Sequence, residues 1–164
     1  MTKQLPRTEK EITDIFVRNS NTVFRICFMY MKNTPDAEDA VQDTFLRLIK
    51  SGPFFESTEH EKAWLIRTAM NVCKNKLRHW WLKRENIEDL YELLQSEDVI
   101  IDDLFREILS LPSKYKTVIF LHYYEGYTSA EIAGILKKPA STIRYWLSEA
   151  RTLLKERIGE DYEE

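Results

Sequence analysis

Trp64, Arg67, Asn71, Lys74, Asn75 and Arg78 recur at intervals that bring them to one side of a helix. Cations, amides and an aromatic ring on one face suit melted nucleic acid. The cations follow phosphates, unpaired bases stack on rings, and amides read base edges that pairing hides. Trp80 and Trp81, near the end of the same run, would wedge at a duplex fork or pack a core. Phe54 and Phe55, just before it, would line a base pocket or pack their loop.

A second set lies near the C-terminus. Ser141, Arg144, Tyr145, Ser148 and Arg151 share one side of a helix, opposite Ile143, Leu147, Ala150 and Leu154. An arginine forks onto guanine, hydroxyls bond bases or phosphates, and Lys137 and Lys138 in the preceding turn suit phosphates. A third set, Asp39, Gln42, Asp43, Leu46 and Lys50, surrounds an apolar side chain with acids and an amide. That is the chemistry of a protein-docking patch whose carboxylates steer a basic partner.

Catalytic chemistry finds no support. His60, His79 and His122 are scattered without metal-ligand spacing, and Cys27 and Cys73 fall on apolar helix faces. There is no glycine-rich phosphate loop. No catalytic residue, metal or cofactor is expected.

These side chains need helices to position them. Ile12, Ile15, Phe16, Val23, Ile26, Cys27 and Tyr30 form a helical apolar stripe. Thr34 is the expected N-cap of a second helix, with Pro35 opening it and Ala37, Ala40, Val41, Thr44, Phe45 and Leu48 as its core face. Ser51-Gly52-Pro53 stops it, a loop spans 54–59, and a third helix runs over 60–84 with Ile66, Met70, Cys73 and Leu77 inward. Beyond a segment at 85–100, helices are expected from Ile101 to Pro112 and around Val118, Ile119, Leu121 and Tyr124, up to Gly126. Thr128-Ser129-Ala130-Glu131 is a capping-box pattern, and the turn Lys137-Lys138-Pro139 leads to a last helix over 140–157. The spacing of these two helices matches a helix-turn-helix over about 128–148, and equally a plain helical hairpin.

Charge follows the same division. The chain of 164 residues has a net charge of −3, but residues 1–84 carry +5 and residues 85–164 carry −8. Lys62 to Arg84 holds seven bases and no acid, whereas Glu85 to Asp103 holds eight acids and no base. The basic block would attract a polyanion, and the acidic one would lie against it in the polyanion's absence. Nine glycines and prolines in all, with 43% hydrophobic residues, exclude collagen-like and wholly disordered classes. The fold class is all-α, two small helical domains over 10–84 and 101–159 joined by an acidic linker at 85–100. No apolar run approaches a membrane span and MTKQLPRTEKE has no signal-peptide character, so a cytoplasmic location without direct membrane insertion is expected.

Four stretches together resemble the bacterial sigma factors of the extracytoplasmic-function type, the two-domain initiation subunits of RNA polymerase. They are Asp36-Ala-Glu-Asp-Ala-Val-Gln-Asp-Thr-Phe45; Ala63-Trp-Leu-Ile-Arg-Thr-Ala-Met-Asn71 with Leu77-Arg78; Leu111-Pro-Ser-Lys-Tyr-Lys-Thr-Val118 with Tyr123-Tyr-Glu-Gly126; and Glu131-Ile-Ala-Gly-Ile-Leu136 with Thr142-Ile143, Leu147 and Ala150-Arg151. The resemblance implies a core-polymerase docking helix over 35–50, with Asp39, Gln42, Asp43 and Leu46 meeting the clamp of the large subunits. It implies that the helix over 60–84 holds the minus-ten element through Trp64, Arg67, Asn71, Lys74, Asn75 and Arg78, with one base flipped into a pocket formed partly by the 54–59 loop. It implies that Lys137, Lys138, Ser141, Thr142, Arg144, Tyr145, Ser148 and Arg151 bind the minus-thirty-five duplex, that the C-terminal domain docks on the polymerase flap, and that an anti-sigma factor, often membrane-bound, restrains the protein.

This chain departs from the family pattern in places. Lys137 stands where the turn often has Gly, and Lys138 where an apolar residue is usual. Trp146 and Glu149 occupy positions where Arg is common, and Asn75 replaces a frequent Asp. Two other readings stand beside the resemblance. One is a helix-turn-helix regulator that binds duplex DNA unaided. The other is a peripheral membrane or peptide-binding protein using Lys76-Leu-Arg-His-Trp-Trp-Leu-Lys-Arg84, against which the bases on several sides of that helix argue.

Overall fold

The structure, a computed structural model, describes residues 6–83 and 103–158. All regular secondary structure among the described residues is helical, and the chain divides into two compact units, Met1–Val99 and Ile100–Glu164. The segment expected as an acidic linker, 85–100, lies outside the described residues.

The first unit is three packed helices, α1 (Glu9–Met31), α2 (Thr34–Ser51) and α3 (Thr58–Lys83). Thr8 caps α1, accepting the Glu11 amide at 3.1 Å. Lys32 ends it in the left-handed region at φ 67°, its amide bonded to the Phe28 carbonyl. Asn33, rather than Thr34, caps α2: its side chain accepts the Asp36 amide at 2.9 Å and its amide group donates to the Asp36 carboxylate at 2.8 Å. The Thr34 hydroxyl is buried with no hydrogen-bond partner among the described residues. Asn33 wins because its extended backbone lets the side chain fold back over the first turn.

The core joins Val23, Ile26, Cys27 and Met29 of α1, Ala37, Ala40 and Leu48 of α2, and Leu65, Ile66, Ala69 and Cys73 of α3. Truncating one of its large members, such as Leu48, is a loss of about 2–5 kcal/mol. Phe16 departs from the expected inward stripe: it is 45% exposed, edge-on to Phe45 with ring centroids 4.9 Å apart. Val41 and Leu77 are half-buried.

A polar network ties α1 to α3. Arg18 donates to both Glu61 carboxylate oxygens at 2.8 and 3.2 Å, and the buried Asn19 amide donates to the same carboxylate at 2.9 Å. Burial alone would raise the Glu61 pKa, but the bonds from Arg18 and Asn19 outweigh it and hold the carboxyl below its ordinary 4.5. A depressed carboxyl stabilises the fold above its unfolded value and loses that contribution as pH falls through the folded value. Thermal unfolding followed from about pH 6 to about pH 3 is therefore expected to fall more steeply for the natural protein than for Glu61→Gln. Parallel curves would remove Glu61 from the acid response.

In the second unit, α4 (Asp103–Leu109) and α5 (Ser113–Ile119) precede a π-helical turn, Phe120–Tyr124. The Glu125 amide reaches back five residues to the Phe120 carbonyl at 3.2 Å, and the Tyr127 amide reaches the Leu121 carbonyl at 3.0 Å. Tyr124, at the end of this wide turn, is 43% exposed. Helix α6 (Ser129–Leu136) starts with the expected capping box, Thr128 and Glu131 each accepting the other's amide at 3.1 Å. Lys137 ends α6 at φ 55° and ψ 48°, and α7 (Ala140–Ile158) follows. Ile108, Val118, Leu121, Ile132, Ile135, Ile143, Leu147 and Ala150 fill this unit's core.

Candidate nucleic-acid interface

Helix α3 turns Leu65, Ile66, Ala69, Val72 and Cys73 inward. Asn71, Lys74, Asn75 and Arg78 are consequently exposed, and Trp64 and Arg67 are half-buried at the border. Trp64 belongs to an aromatic group: the Phe55 ring lies 5.8 Å from it and 5.3 Å from the His60 ring, centroid to centroid. The Arg7 guanidinium stands 4.8 Å from the Phe55 centroid, donates to the Gly52 carbonyl at 3.0 Å, and also donates to the Pro53 carbonyl. Phe55 thus packs the loop, while its neighbour Phe54 is 69% exposed. A Cβ on Gly52 would meet the Leu48 carbonyl oxygen at 2.5 Å, so only glycine fits this approach. Nothing is described for the side chains of Trp80 and Trp81.

The α2 patch is divided by its neighbours. Lys76 of α3 reaches across to Asp39 and Asp43, 2.7 Å from each carboxylate. Burial works to lower the Lys76 pKa, but the two carboxylates outweigh it and the ammonium stands above its ordinary value. Gln42 and Leu46 face the other flank, an apolar groove with Phe16, Phe24, Phe45 and Ile49 in its walls. The wheel of α2 puts these four residues on one arc but cannot supply Lys76, which arrives from a different helix. Among the described residues no cluster of His, Cys, Asp and Glu is arranged to hold a metal ion, and no helix is long and apolar enough to cross a membrane.

Helices α6 and α7 pack together through Ile132, Ile135, Ile143, Leu147 and Ala150. Lys137, Lys138, Ser141, Arg144, Tyr145, Ser148 and Arg151 are exposed, and Thr142 is half-buried. The turn between them is fixed by backbone bonds, Lys138 to the Ala133 carbonyl at 3.0 Å and Thr142 to the Pro139 carbonyl at 3.0 Å. Two helices joined by a three-residue turn have the order and lengths of a helix-turn-helix, and the first turns of α7 present polar side chains to solvent. Trp146 is half-buried, 5.9 Å from the Lys114 ammonium, and so serves packing. Arg151 donates its Nε–H to the Tyr123 hydroxyl at 2.7 Å. Sequence reasoning misses that pair because Tyr123 comes from the π turn, whose register a regular helical wheel does not reproduce.

Comparison with known proteins matches residues 15–83 to sigma-70 region 2 and residues 101–154 to sigma-70 region 4. The ECF RNA polymerase sigma factor SigW of Bacillus subtilis is 26% identical, the match covering 90% of this chain and 87% of that protein. The RNA polymerase sigma factor SigV of the same organism is 28% identical over 93% of this chain and 94% of its own length. Among solved structures, the sigma factor RpoE bound to the anti-sigma factor NepR from Bartonella quintana aligns with a TM-score of 0.65 and 22% identity, covering 93% of this chain and 99% of that one. CnrH in complex with the cytosolic domain of CnrY aligns with a TM-score of 0.68 and 18% identity, covering 94% and 91%. These two likenesses speak for the fold.

Proposed function

Because the chain belongs to the sigma-70 family, as a sigma factor of the extracytoplasmic-function type, we propose the following division of labour for promoter-specific transcription initiation. Residues 10–84 bind core RNA polymerase and open the minus-ten element. Residues 101–159 bind the minus-thirty-five element as duplex and dock on the flap, and residues 85–100 link the two. Asp39, Gln42, Asp43 and Leu46 meet the polymerase clamp. Trp64, Arg67, Asn71, Lys74, Asn75 and Arg78 grip the melted strand, with Phe54 beside them for an unpaired base. Lys137, Lys138, Ser141, Thr142, Arg144, Tyr145, Ser148 and Arg151 contact duplex DNA.

One observation carries this reading. A single chain presents an exposed cation-and-amide face beside an aromatic loop in one unit, and a capped helix-turn-helix in the other. A stand-alone duplex-binding regulator has use for the second alone. The chain supplies no catalytic group, the chemistry of RNA synthesis being the polymerase's. It acts in the cytoplasm, restrained by an anti-sigma factor; a protein of the same fold, RpoE, is bound to the anti-sigma factor NepR.

The test is run-off transcription by bacterial core polymerase on fragments of the source genome, with and without the protein. Discrete start sites that require the protein are the expected result. Core binding without new starts would make it an inhibitor or an activator-dependent factor. Duplex binding with no affinity for core would return the stand-alone regulator.

Lys137 offers a finer check. A left-handed backbone is a strain of about 1 kcal/mol for a residue with a Cβ. Lys137→Gly is therefore expected to raise the stability of the C-terminal unit by about that much, while weakening promoter binding and lowering its log–log salt slope by about 0.9 for the lost phosphate contact. An unchanged slope would take Lys137 off the DNA.

A further inference from the structure

We infer that Tyr123 and Arg151 together form a clamp for a single backbone phosphate of duplex DNA, so that Tyr123 is a DNA-contacting residue outside the helix-turn-helix. The inference rests on reading α6–α7 as the duplex-binding element.

Three observations carry it. The first is hydrogen-bond arithmetic. The Tyr123 oxygen accepts the Nε–H of Arg151 at 2.7 Å, which leaves the phenol's own proton to donate. Arg151 spends only Nε in this bond, and neither Nη group has a partner among the described residues. The pair therefore offers donors from both residues, each held by the other, and an anion with several acceptor oxygens satisfies them together. A phosphodiester has that chemistry and a base edge does not.

The second is rigidity. Tyr123 sits on the π turn, where the Glu125 amide bonds the Phe120 carbonyl at 3.2 Å. The neighbouring His122 ring is fastened to the Tyr127 carbonyl at 2.7 Å and meets the Tyr123 ring edge-on at 4.7 Å. The guanidinium carbon of Arg151 lies 5.7 Å from the Tyr123 ring centroid, so the ring and the hydroxyl both hold the side chain. Two residues that are ordinarily mobile on a surface are fixed before any ligand arrives, and less ordering remains to be done on binding.

The third is position. Tyr123 is 56% exposed and Arg151 is exposed, so the clamp opens to solvent. Arg151 stands on the same side of α7 as Arg144 and Ser148, about two turns beyond Arg144. Residues of the first turns of a recognition helix reach base edges, and those further along leave the groove floor for the backbone. Arg151 is consequently an anchor that sets register, and its loss weakens all promoter sequences alike.

The experiment uses holoenzyme reconstituted from core polymerase and the full chain, on a promoter duplex in which single phosphates upstream are replaced by neutral methylphosphonates. For the natural protein, one replacement should weaken binding by roughly tenfold through this clamp. Tyr123→Phe keeps the ring and removes only the hydroxyl. It should weaken binding severalfold on unmodified DNA and make that one replacement nearly silent, while every other replacement keeps its effect. Arg151→Ala should silence the same phosphate more completely. If Arg151→Ala weakens binding and Tyr123→Phe does not, the clamp is overturned and Tyr123 merely packs. If Tyr123→Phe weakens binding with no phosphate singled out, its role is structural and the clamp is again overturned. If Arg151→Ala leaves binding unchanged, the assignment of this face to duplex DNA fails, a result distinct from the other two.

Discussion

Replacing Asp39 and Asp43 together by arginine should abolish binding to core polymerase, a loss of at least about 100-fold, with the helical fold retained. Two attractive carboxylates become two repulsive cations on the face proposed to meet a basic partner. The structure adds a complication, because both carboxylates are also ion-paired to Lys76 at 2.7 Å. Their side chains are 62% and 42% exposed, so each internal pair contributes no more than about 1 kcal/mol. The double reversal leaves Lys76 beside two arginines and should lower stability modestly. A third change, Lys76→Glu, restores opposite charges inside the unit and should recover that stability without recovering polymerase affinity. Circular dichroism during unfolding and a direct binding titration separate the two effects. Unchanged affinity in a folded double variant would take the docking role away from this face.

The second large effect is expected at α3. Arg67→Ala with Arg78→Ala should slow promoter opening by at least about 100-fold, taking each charge-assisted contact at no less than about 1.5 kcal/mol, and leave core affinity within about twofold. Arg78 is exposed and Arg67 half-buried, and neither belongs to the apolar core. Fluorescence of a base analogue in the minus-ten segment reports opening, and the titration used for the first variant reports docking. Equal loss in both would mean that this face serves assembly and does not grip the strand.

Periodicity carried most of the fold because helices leave a local record. The capping box at Thr128–Glu131, the turn at Lys137–Pro139 and the inward sides of α3 and α7 depend on residues within a few positions of one another. What escaped the sequence reading depends on partners far along the chain or on backbone irregularity. Lys76 reads as one more base in a basic helix until α2 is packed beside it. Arg7 reads as a stray charge until the Gly52–Phe55 loop returns to it. Phe16 fits an apolar stripe by spacing, yet its ring is left half outside, against Phe45 at the edge of an apolar groove. Tyr123 and Tyr124 lie in a π turn, a backbone irregularity that residue spacing does not announce. The choice of Asn33 over Thr34 as cap turns on one residue's backbone angles, which composition does not encode.

The site was legible in kind more than in detail. Residue types on the exposed sides of α3 and α7 could be read from the wheel. Which of them are held by neighbours could not, and that distinction marks out Arg151, fixed by Tyr123.

Cys27 and Cys73, the two cysteines of the chain, are both fully buried in the first unit. A thiol reagent reaches them only when α1 and α3 separate, so the speed of labelling counts openings of that unit and of nothing else. The chain thus carries its own clock. Any partner that clamps α1 against α3 should slow the reaction in proportion to how firmly it grips, and a partner confined to the second unit should leave the rate as it was.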